Sequence, residues 1–223
     1  AAFGTSDDGA DIQVFGLRPD LVGQSGIVVR NAPFGDSETL TWELVARRRF
    51  SRRWSLLASF AHMWNRDHAG AYLGQQVRAN EYPGTPNDLI NTDARGRHAY
   101  RDWSFKAHGT YAGPWGLLVT PFVRHQSGQP FGRTLRTTLN YGTTAVLTEP
   151  VGTRRQRHVT LVDVRVEKVI RLPGDRRLTG FVDVFNAFNA NPEQNLSWET
   201  ATSLRPLVIV PPRIARVGFR LDW

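Results

Sequence analysis

The sequence predicts an all-β protein, namely part of an antiparallel transmembrane β-barrel with about seven to eight strands, short periplasmic turns and long extracellular loops. Three observations lead to this prediction. Apolar and polar residues alternate along many runs, the connections between these runs are alternately short and long, and aromatic residues gather at the ends of the runs. A barrel that crosses an outer membrane combines all three features.

Strict alternation marks the strands. It is clearest over 103–111, 162–167 and 215–223, whereas no long run carries the stripe of apolar residues that a helix needs. Taken along the whole chain, alternation predicts strands over 38–50, 54–65, 101–112, 115–127, 159–170, 177–188 and 213–223. We therefore interpret 38–223 as the C-terminal part of a barrel, and 1–37 as an extracellular loop region with a possible short strand near 12–17.

The connections between predicted strands differ in length by a regular pattern. The first, third and fifth are short turns, near 51–53, 112–114 and 171–176. The second, fourth and sixth run for about 25 to 35 residues, which is rare in compact soluble domains. Short turns at one end and long loops at the other are typical of outer-membrane barrels.

Hairpin register predicts two rows of outward aromatic side chains. Three-residue turns would place Phe50 opposite Trp54, and Tyr111 opposite Trp115, at the short-turn end. Ten residues separate Trp54 from Trp64, about 33 Å of strand, or roughly 25 Å when tilted. The predicted aromatic girdles consist of Phe50, Trp54, Trp64, Trp103, Tyr111 and Trp115.

The opposite face of the predicted strands is mostly polar, as the lumen of a barrel requires. Closing the turn at 171–177 places Arg165 opposite Asp183, and we predict an ion pair between them inside the lumen. A soluble β-sandwich shows the same alternation and remains the structural alternative. The long loops and the tryptophans at strand ends favour the barrel.

Composition alone points elsewhere. The formal charge is +8, and Lys106 and Lys168 are the only lysines among 28 basic residues, which suggests a nucleic-acid partner. The arginines are spread over turns and strands, however, so a soluble nucleic-acid-binding domain is only a remote alternative and we predict no nucleic-acid partner. The mean hydropathy of -0.37 fits an average of a lipid face, a polar lumen and wet loops.

Catalytic and metal-binding patterns are absent from the sequence. Without cysteine, disulfides and thiolate chemistry are excluded. No nucleophile, phosphate-binding or paired-carboxylate motif occurs, so we predict no enzyme activity and no cofactor. His68 and His98 share one loop and could hold a metal, but isolated surface histidines are favoured. Asp7, Asp8 and Asp11 faintly resemble a calcium loop, although a solvated turn is favoured.

The long loops carry aromatic residues that are candidates for ligand capture at the outer face. The alternative is that these side chains pack loop against loop. The turn arginines are expected at periplasmic headgroups, where cationic side chains meet anionic lipid. The candidate ligand residues are Tyr72, Tyr82, Tyr100, Phe131, Tyr141 and Trp198.

The last strand and several ordered motifs resemble a known family. The chain ends in an aromatic residue preceded by alternating apolar residues, which is similar to the signal that outer-membrane proteins present to the barrel-assembly machinery; these residues are Val217, Phe219, Leu221 and Trp223. Upstream lie Ser-Gly-Gln-Pro-Phe at 127–131, Asp-x-Arg-x-x-Lys at 163–168 and Asp-Val-Phe-Asn-x-Phe-Asn at 183–189. This order resembles the C-terminal end of TonB-dependent outer-membrane transporters. The stretches 85–91 and 211–216 resemble their Oar-like branch, which carries a carboxypeptidase-regulatory-like domain.

The resemblance implies a location in the outer membrane of a Gram-negative cell and a barrel of about 22 strands around a plug. It also implies energy-coupled import of a large, scarce ligand of unknown identity, and the TonB complex as a partner through an N-terminal part outside this sequence. Outer-membrane lipid and the assembly machinery are the other expected partners. Because the chain begins at Ala1, we expect it to be a piece that starts in a loop. A passive pore or an adhesion or structural barrel is the functional alternative.

Overall fold

The computed structural model describes residues 2–5, 11–24, 26, 37–67, 85–202 and 205–223. These residues are mainly extended, with four short 3-10 helices at Pro19–Leu21, Pro86–Leu89, Pro114–Gly116 and Thr200–Thr202. The strands are β1 (Ala2–Thr5), β2 (Asp11–Val14), β3 (Glu38–Ser51), β4 (Trp54–Asp67), β5 (His98–Ala112), β6 (Leu117–Gln126), β7 (Pro130–Phe131), β8 (Thr134–Leu139), β9 (Gly142–Leu147), β10 (Arg154–Arg155), β11 (Val159–Arg171), β12 (Arg177–Phe185), β13 (Glu193–Leu196), β14 (Pro206–Ile209) and β15 (Ile214–Asp222).

The seven long strands form one antiparallel sheet in the order β3-β4-β5-β6-β11-β12-β15. Each long strand therefore pairs with the next long strand along the chain. This confirms the predicted all-β, antiparallel arrangement. The described sheet is open, with β3 and β15 at its edges, and it is not closed as a barrel.

The first hairpin departs from the predicted register at its tip. Ala46 pairs with Ala58 as expected, but Ser51 instead of Phe50 lies opposite Trp54. Arg52 and Arg53 both take positive φ angles, 49° and 73°, which makes a two-residue turn. The one-residue difference is absorbed by a bulge between Arg48 and Ser51. The predicted pairing of Phe50 with Trp54 is therefore wrong.

The turn between β5 and β6 is longer than predicted. Tyr111 pairs with Val119 and Ala107 with Val123, so the predicted partnership of Tyr111 with Trp115 is wrong. The 3-10 helix at Pro114–Gly116 lengthens the connection, and Trp115 within it has a φ of 58°. The register moves by an even number of residues, so each side chain stays on its predicted face.

Short strands lie inside the segments that the sequence assigned to loops. Within the described residues, β7 pairs with β10, β8 with β9, and β13 with β14. In the N-terminal region β1 pairs with β2, so a strand exists near the predicted position but ends at Val14. Sequence alternation missed these pieces because strands of two to six residues are too short to show a period.

The best-buried apolar cluster of the described residues lies mainly among the loops. It joins the start of β5 to the segments after β6 and before β15. Its members are Tyr100, Phe131, Leu147, Val151, Leu196 and Trp198. The described parts of the long connections are thus folded into a packed layer at one end of the sheet.

Candidate ligand cleft among the long loops

The two faces of the sheet differ in chemistry along all seven strands. Pairing places Leu44, Phe60, Phe105 and Val123 on one face, which we call the apolar face, with β11, β12 and β15 adding valine and phenylalanine. Much of it is uncovered: Leu44 is 63% exposed and Phe219 is 81% exposed. Lys106, Arg124 and Asp183 belong to the opposite, polar face, since residues next to one another in a strand point to opposite sides.

An aromatic row crosses the apolar face at its long-loop end. The Trp42 and Trp64 ring centroids lie 6.4 Å apart, and His62 lies 4.1 Å from Trp64. The row continues from His62 to Trp103 at 6.4 Å and from Trp103 to His158 at 5.1 Å. The sequence identified Trp64 and Trp103 for this row. It missed Trp42 and the histidines because their proximity depends on strand pairing.

The short-turn end of the apolar face carries a second set of aromatic residues. Trp54 pairs directly with Tyr111, and the Arg48 guanidinium stacks 3.8 Å from the Trp54 ring centroid. Trp115 is 85% exposed in its turn. Phe50 lies within the bulge, is 58% exposed and has lost its predicted place opposite Trp54. Whether either row lies at a membrane interface stays a prediction.

The polar face holds an ion-pair cluster centred on Asp183. Its carboxylate accepts hydrogen bonds from Arg165 at 2.6 Å and 3.0 Å, and from Arg216 at 2.9 Å and 2.6 Å. Arg165 and Asp183 lie directly opposite each other, as the sequence register predicts. Asp183 is buried although this face is polar, so the two arginines shield it from solvent.

The Asp-x-Arg and Asp-Val-Phe-Asn segments bind to each other. The Asn186 backbone N–H donates to Asp163 Oδ1 at 2.8 Å, next to the Arg165–Asp183 pair. The Asn186 side chain donates to the carbonyl oxygens of Ala190 and Pro211. Its φ of 50° ends β12 and starts the loop toward β15. These motif residues thus have a structural role in joining three strands.

The four apolar residues of the terminal signal lie on one side of the edge strand. Val217 is 78% exposed, Leu221 is 45% exposed, and Trp223 follows the strand at 89% exposure. Val217 pairs with Val182, and Phe219 pairs with Gly180. Their recognition by an assembly machinery stays a prediction.

Three of the predicted ligand aromatics are buried in the part of the chain that the structure describes. Tyr100, Phe131 and Trp198 are 6%, 2% and 2% exposed and belong to the loop cluster. The Phe131 and Trp198 ring centroids lie 6.0 Å apart. These side chains pack loop against loop, which is the alternative that the sequence left open, because apolar rings gain more from burial than from solvent contact. Tyr72 and Tyr82 lie outside the described residues.

Tyr141 takes part in a contact between the loops and the segment after β2. Its hydroxyl accepts a hydrogen bond from the Asn87 amide at 2.7 Å, and the same amide pairs with the backbone of Phe15. Asn140 pairs with the backbone of Leu17 in the same manner. Two asparagine side chains therefore hold the segment after β2 against the loops.

The Ser-Gly-Gln-Pro-Phe segment turns the chain from β6 into the loop layer. Ser127 Oγ donates to Asp102 Oδ1 at 3.1 Å. Gly128 approaches the loop before β11 so closely that a Cβ atom would lie 1.9 Å from the Gln156 carbonyl oxygen. Any larger residue at Gly128 would therefore push these two loop segments apart.

Arg155 ties this turn to the sheet. Its guanidinium donates to Asp102 Oδ1 at 3.1 Å and to the Gly128 carbonyl oxygen at 2.6 Å. It also donates to the Arg101 carbonyl oxygen and lies 4.9 Å from the Trp103 ring centroid. Sequence reasoning missed Arg155 because nothing in its local pattern distinguishes it from the other arginines.

A cleft of about 460 Å³ opens beside this contact, at the long-loop end of the polar face. Its volume falls within the range of small-ligand sites. We call it the loop cleft, and its lining is rich in amide, hydroxyl and charged groups. The lining residues are Met63, Asp102, Trp103, Ser104, Gln126, Ser127, Gly128, Gln129, Pro130, Gln156, Arg157, Val159, Glu193 and Gln194.

Glu149 joins the two sides of the loop layer. Its Oε1 accepts from Arg133 Nε at 3.2 Å and from Arg154 Nε at 2.6 Å. Burial would raise the pKa of this carboxyl, but the hydrogen bonds from Arg133 and Arg154 outweigh that effect. The pKa of Glu149 therefore lies below its ordinary value.

Asp93 organises the turn before β5 in the same manner. Its carboxylate accepts the backbone N–H groups of Arg95 and Arg97 at 2.8 Å and 2.9 Å. Burial would raise the pKa of Asp93, but these bonds and the Arg97 guanidinium lower it overall. Arg97 also reaches Glu38 on β3 at 3.4 Å, which links this turn to the sheet edge.

Metal sites are not assembled in the part of the chain that the structure describes, since no three His, Cys, Asp or Glu side chains converge there. His98 is buried at the start of β5, and His68, its suggested partner, lies outside the described residues. Asp7 and Asp8 of the suggested calcium loop also lie outside them, while Asp11 begins β2.

Comparison with known proteins adds no relative. No family model, no curated protein and no solved structure matches the chain. In the described residues, no helix combines the length and the apolar character needed to cross a membrane.

Proposed function

We propose that this chain is the barrel portion of a TonB-dependent outer-membrane receptor, which imports a large, scarce ligand by energy-coupled transport. The observation that supports a membrane location is the uncovered apolar face, and the receptor assignment rests on the resemblance of the ordered motifs at 127–131, 163–168 and 183–189. The apolar face continues over all seven strands of the sheet and has aromatic side chains near both ends. Contact with lipid would bury such a face.

Water is a poor environment for this sheet. Phe219 and Val217 are more than three-quarters exposed, and Leu40, Trp42 and Leu44 on the other edge strand are more than 60% exposed. Soluble proteins rarely expose contiguous apolar surface of this extent. Where it occurs, it is usually a site of contact with a membrane or a protein partner. The opposite face, with its ion pairs, supports an interpretation as the polar lumen.

The two ends of the sheet support an orientation. The short-turn end carries the arginines of 47–53 and 171–177, which suit the headgroups of anionic lipid. The long-loop end carries the packed loop layer and the loop cleft. We therefore propose that the loops face the outside of the cell and that the ligand first contacts the protein there.

Membrane location is tested by fractionation. The natural polypeptide that contains this chain is produced in a Gram-negative host, and outer and inner membranes are separated from soluble extract. We expect recovery in the outer membrane, with resistance to extraction at high pH. Recovery in the soluble extract would contradict the proposal and favour a soluble β-domain.

Energy coupling is tested separately. Once a ligand is known, its uptake is compared in cells with and without a functional TonB complex and after collapse of the proton-motive force. Receptor-mediated import should stop in both cases. Uptake or ion conductance that persists would instead indicate a passive pore, and binding without any uptake would indicate an adhesion or structural barrel.

A further inference from the structure

The Gln156 side chain lacks a hydrogen-bond partner for its amide nitrogen among the described residues. Gln156 is 5% exposed, and its Nε2 atom is buried. The residue lines the loop cleft. Leaving a buried donor unpaired costs about 1–3 kcal/mol, so native proteins usually supply a partner.

The surrounding lining offers the same chemistry several times. Gln126, Gln129 and Gln194 join Gln156 at the cleft, together with the hydroxyl of Ser104. Each amide side chain provides two N–H donors and a carbonyl acceptor. A hydroxyl group both donates and accepts a hydrogen bond, so a ligand with many hydroxyls matches this lining group by group.

The charges in and beside the cleft cancel. Asp102 is paired with Arg155 at 3.1 Å, and Glu193 Oε1 accepts the Arg157 backbone N–H at 2.9 Å. Two carboxylates and two guanidinium groups are therefore present, three of them on lining residues and the fourth on Arg155. A strongly charged ligand would lose its hydration here without gaining a net counter-charge from the cleft.

We propose that the loop cleft binds a neutral, polyhydroxylated ligand of the oligosaccharide class, with the Gln156 amide as an anchoring hydrogen-bond partner. A peptide offers fewer polar groups for its size, whereas nine of the fourteen lining residues of the cleft carry polar or charged side chains. Rotation about the last side-chain bond of Gln156 exchanges the two ends of its amide, so a hydroxyl can meet the donor or the acceptor. This inference rests on the proposed function only for the external position of the cleft.

The test uses calorimetric titration of the natural polypeptide that contains this chain, in micelles of lauryldimethylamine oxide, a detergent without a sugar headgroup. The probes are the hexaoses of the malto, cello, xylo and manno series, with ferric citrate and hexa-alanine as charged and peptide probes. Concentrations extend to about 1 mM, the weak end of ordinary substrate affinities. The variant is Gln156→Leu, and Gln13→Leu, at an exposed glutamine of β2 outside the cleft, is its matched control.

Saturable binding of at least one hexaose is expected. Gln156→Leu should weaken it roughly 3- to 10-fold, the value of one hydrogen bond, while Gln13→Leu leaves it unchanged. The melting temperature of Gln156→Leu should be equal to or above that of the original chain, because an unpaired buried donor is removed. This readout separates lost binding from lost folding.

Three results would overturn the inference: no hexaose binds, hexaose binding is equal in Gln156→Leu and Gln13→Leu, or ferric citrate or hexa-alanine is the probe that depends on Gln156. Fractionation of the natural polypeptide distinguishes the two proposals. Outer-membrane location without hexaose binding leaves the receptor proposal standing, whereas hexaose binding by a soluble protein leaves only the cleft assignment standing.

Discussion

Arg165 and Asp183 face each other across β11 and β12, with Arg165 Nε 2.6 Å from Asp183 Oδ1 and Nη2 3.0 Å from Oδ2. The side chain of Asp183 is 5% exposed, while that of Arg165 is 38% exposed. The Asp183 carboxylate is therefore shielded from solvent, while the Arg165 side chain that binds it stays partly hydrated. Two parallel hydrogen bonds of this kind fix the relative orientation of the two side chains and also strengthen their interaction.

Removing the carboxylate should destabilise the sheet. Asp183→Asn leaves Arg165 and Arg216 without their shared counter-charge, and we expect a loss of about 1–3 kcal/mol, discounted because the arginines are partly exposed. The free energy of unfolding in urea, measured in detergent micelles, checks this value. Asp222→Asn is the matched control, since its 3.2 Å contact with Arg220 is exposed and should contribute under about 1 kcal/mol. Equal losses in both variants would refute the central role of Asp183.

Asn186 tests the link between the two motifs. Asn186→Gly keeps the positive φ of 50° but removes the amide bonds to Ala190 and Pro211, and we expect a loss of about 1–3 kcal/mol. Asn186→Ala adds backbone strain to that loss and should be worse by roughly 1 kcal/mol. Urea unfolding of the two variants separates the parts. If the alanine variant were the more stable one, the proposed role of the left-handed turn would be wrong.

Acid should loosen the loop layer through Glu149. A carboxyl whose folded pKa is depressed stabilises the fold above its unfolded pKa, and this contribution is lost as pH falls through the folded value. The protection factors of amide hydrogens in β8 and β9, which compare measured exchange with the intrinsic rate at each pH, should therefore fall below about pH 4. Glu149→Gln should show fast exchange already at neutral pH.

Glu199→Gln provides the control for the Glu149 experiment. Glu199 also pairs with an arginine, Arg136 at 2.5 Å, but that guanidinium is 64% exposed. Removing the Glu199 carboxylate should leave most of the acid response of the loop layer in place. An acid response that persists unchanged in Glu149→Gln would assign it to other groups.

The sheet could be predicted because its determinants are local. Alternation assigns a residue such as Phe105 to a face regardless of the rest of the fold, and an even error in register leaves that assignment intact. The hairpin tips could not be predicted. Arg52 and Arg53 take left-handed conformations that favour glycine or asparagine, so the two-residue turn has no signal in the sequence.

The site was less predictable than the sheet. Tyr100, Phe131 and Trp198 are far apart in sequence, and nothing local indicates that they pack together instead of facing a ligand. Gln156 and Arg155 gain their roles only from the close approach of Gly128. The Ser-Gly-Gln-Pro-Phe pattern marked the right segment but not the contacts that it makes.

The most direct measurement compares two adjacent residues of β6 that point to opposite faces. Val123 lies on the apolar face opposite Ala107, and Phe122 lies on the polar face opposite Asp163. Both residues are close to Arg124, which pairs with Lys106 near the middle of β5. Folding of Val123→Arg and Phe122→Arg is measured by urea titration in dilauroylphosphatidylcholine vesicles.

If the apolar face meets lipid, Val123→Arg should lose about 2–4 kcal/mol, the cost of arginine near the middle of the bilayer. Phe122→Arg should lose clearly less, because its guanidinium faces Asp163 and a polar surface. Equal losses, or a larger loss for Phe122→Arg, would contradict the membrane-facing assignment on which the proposed function depends.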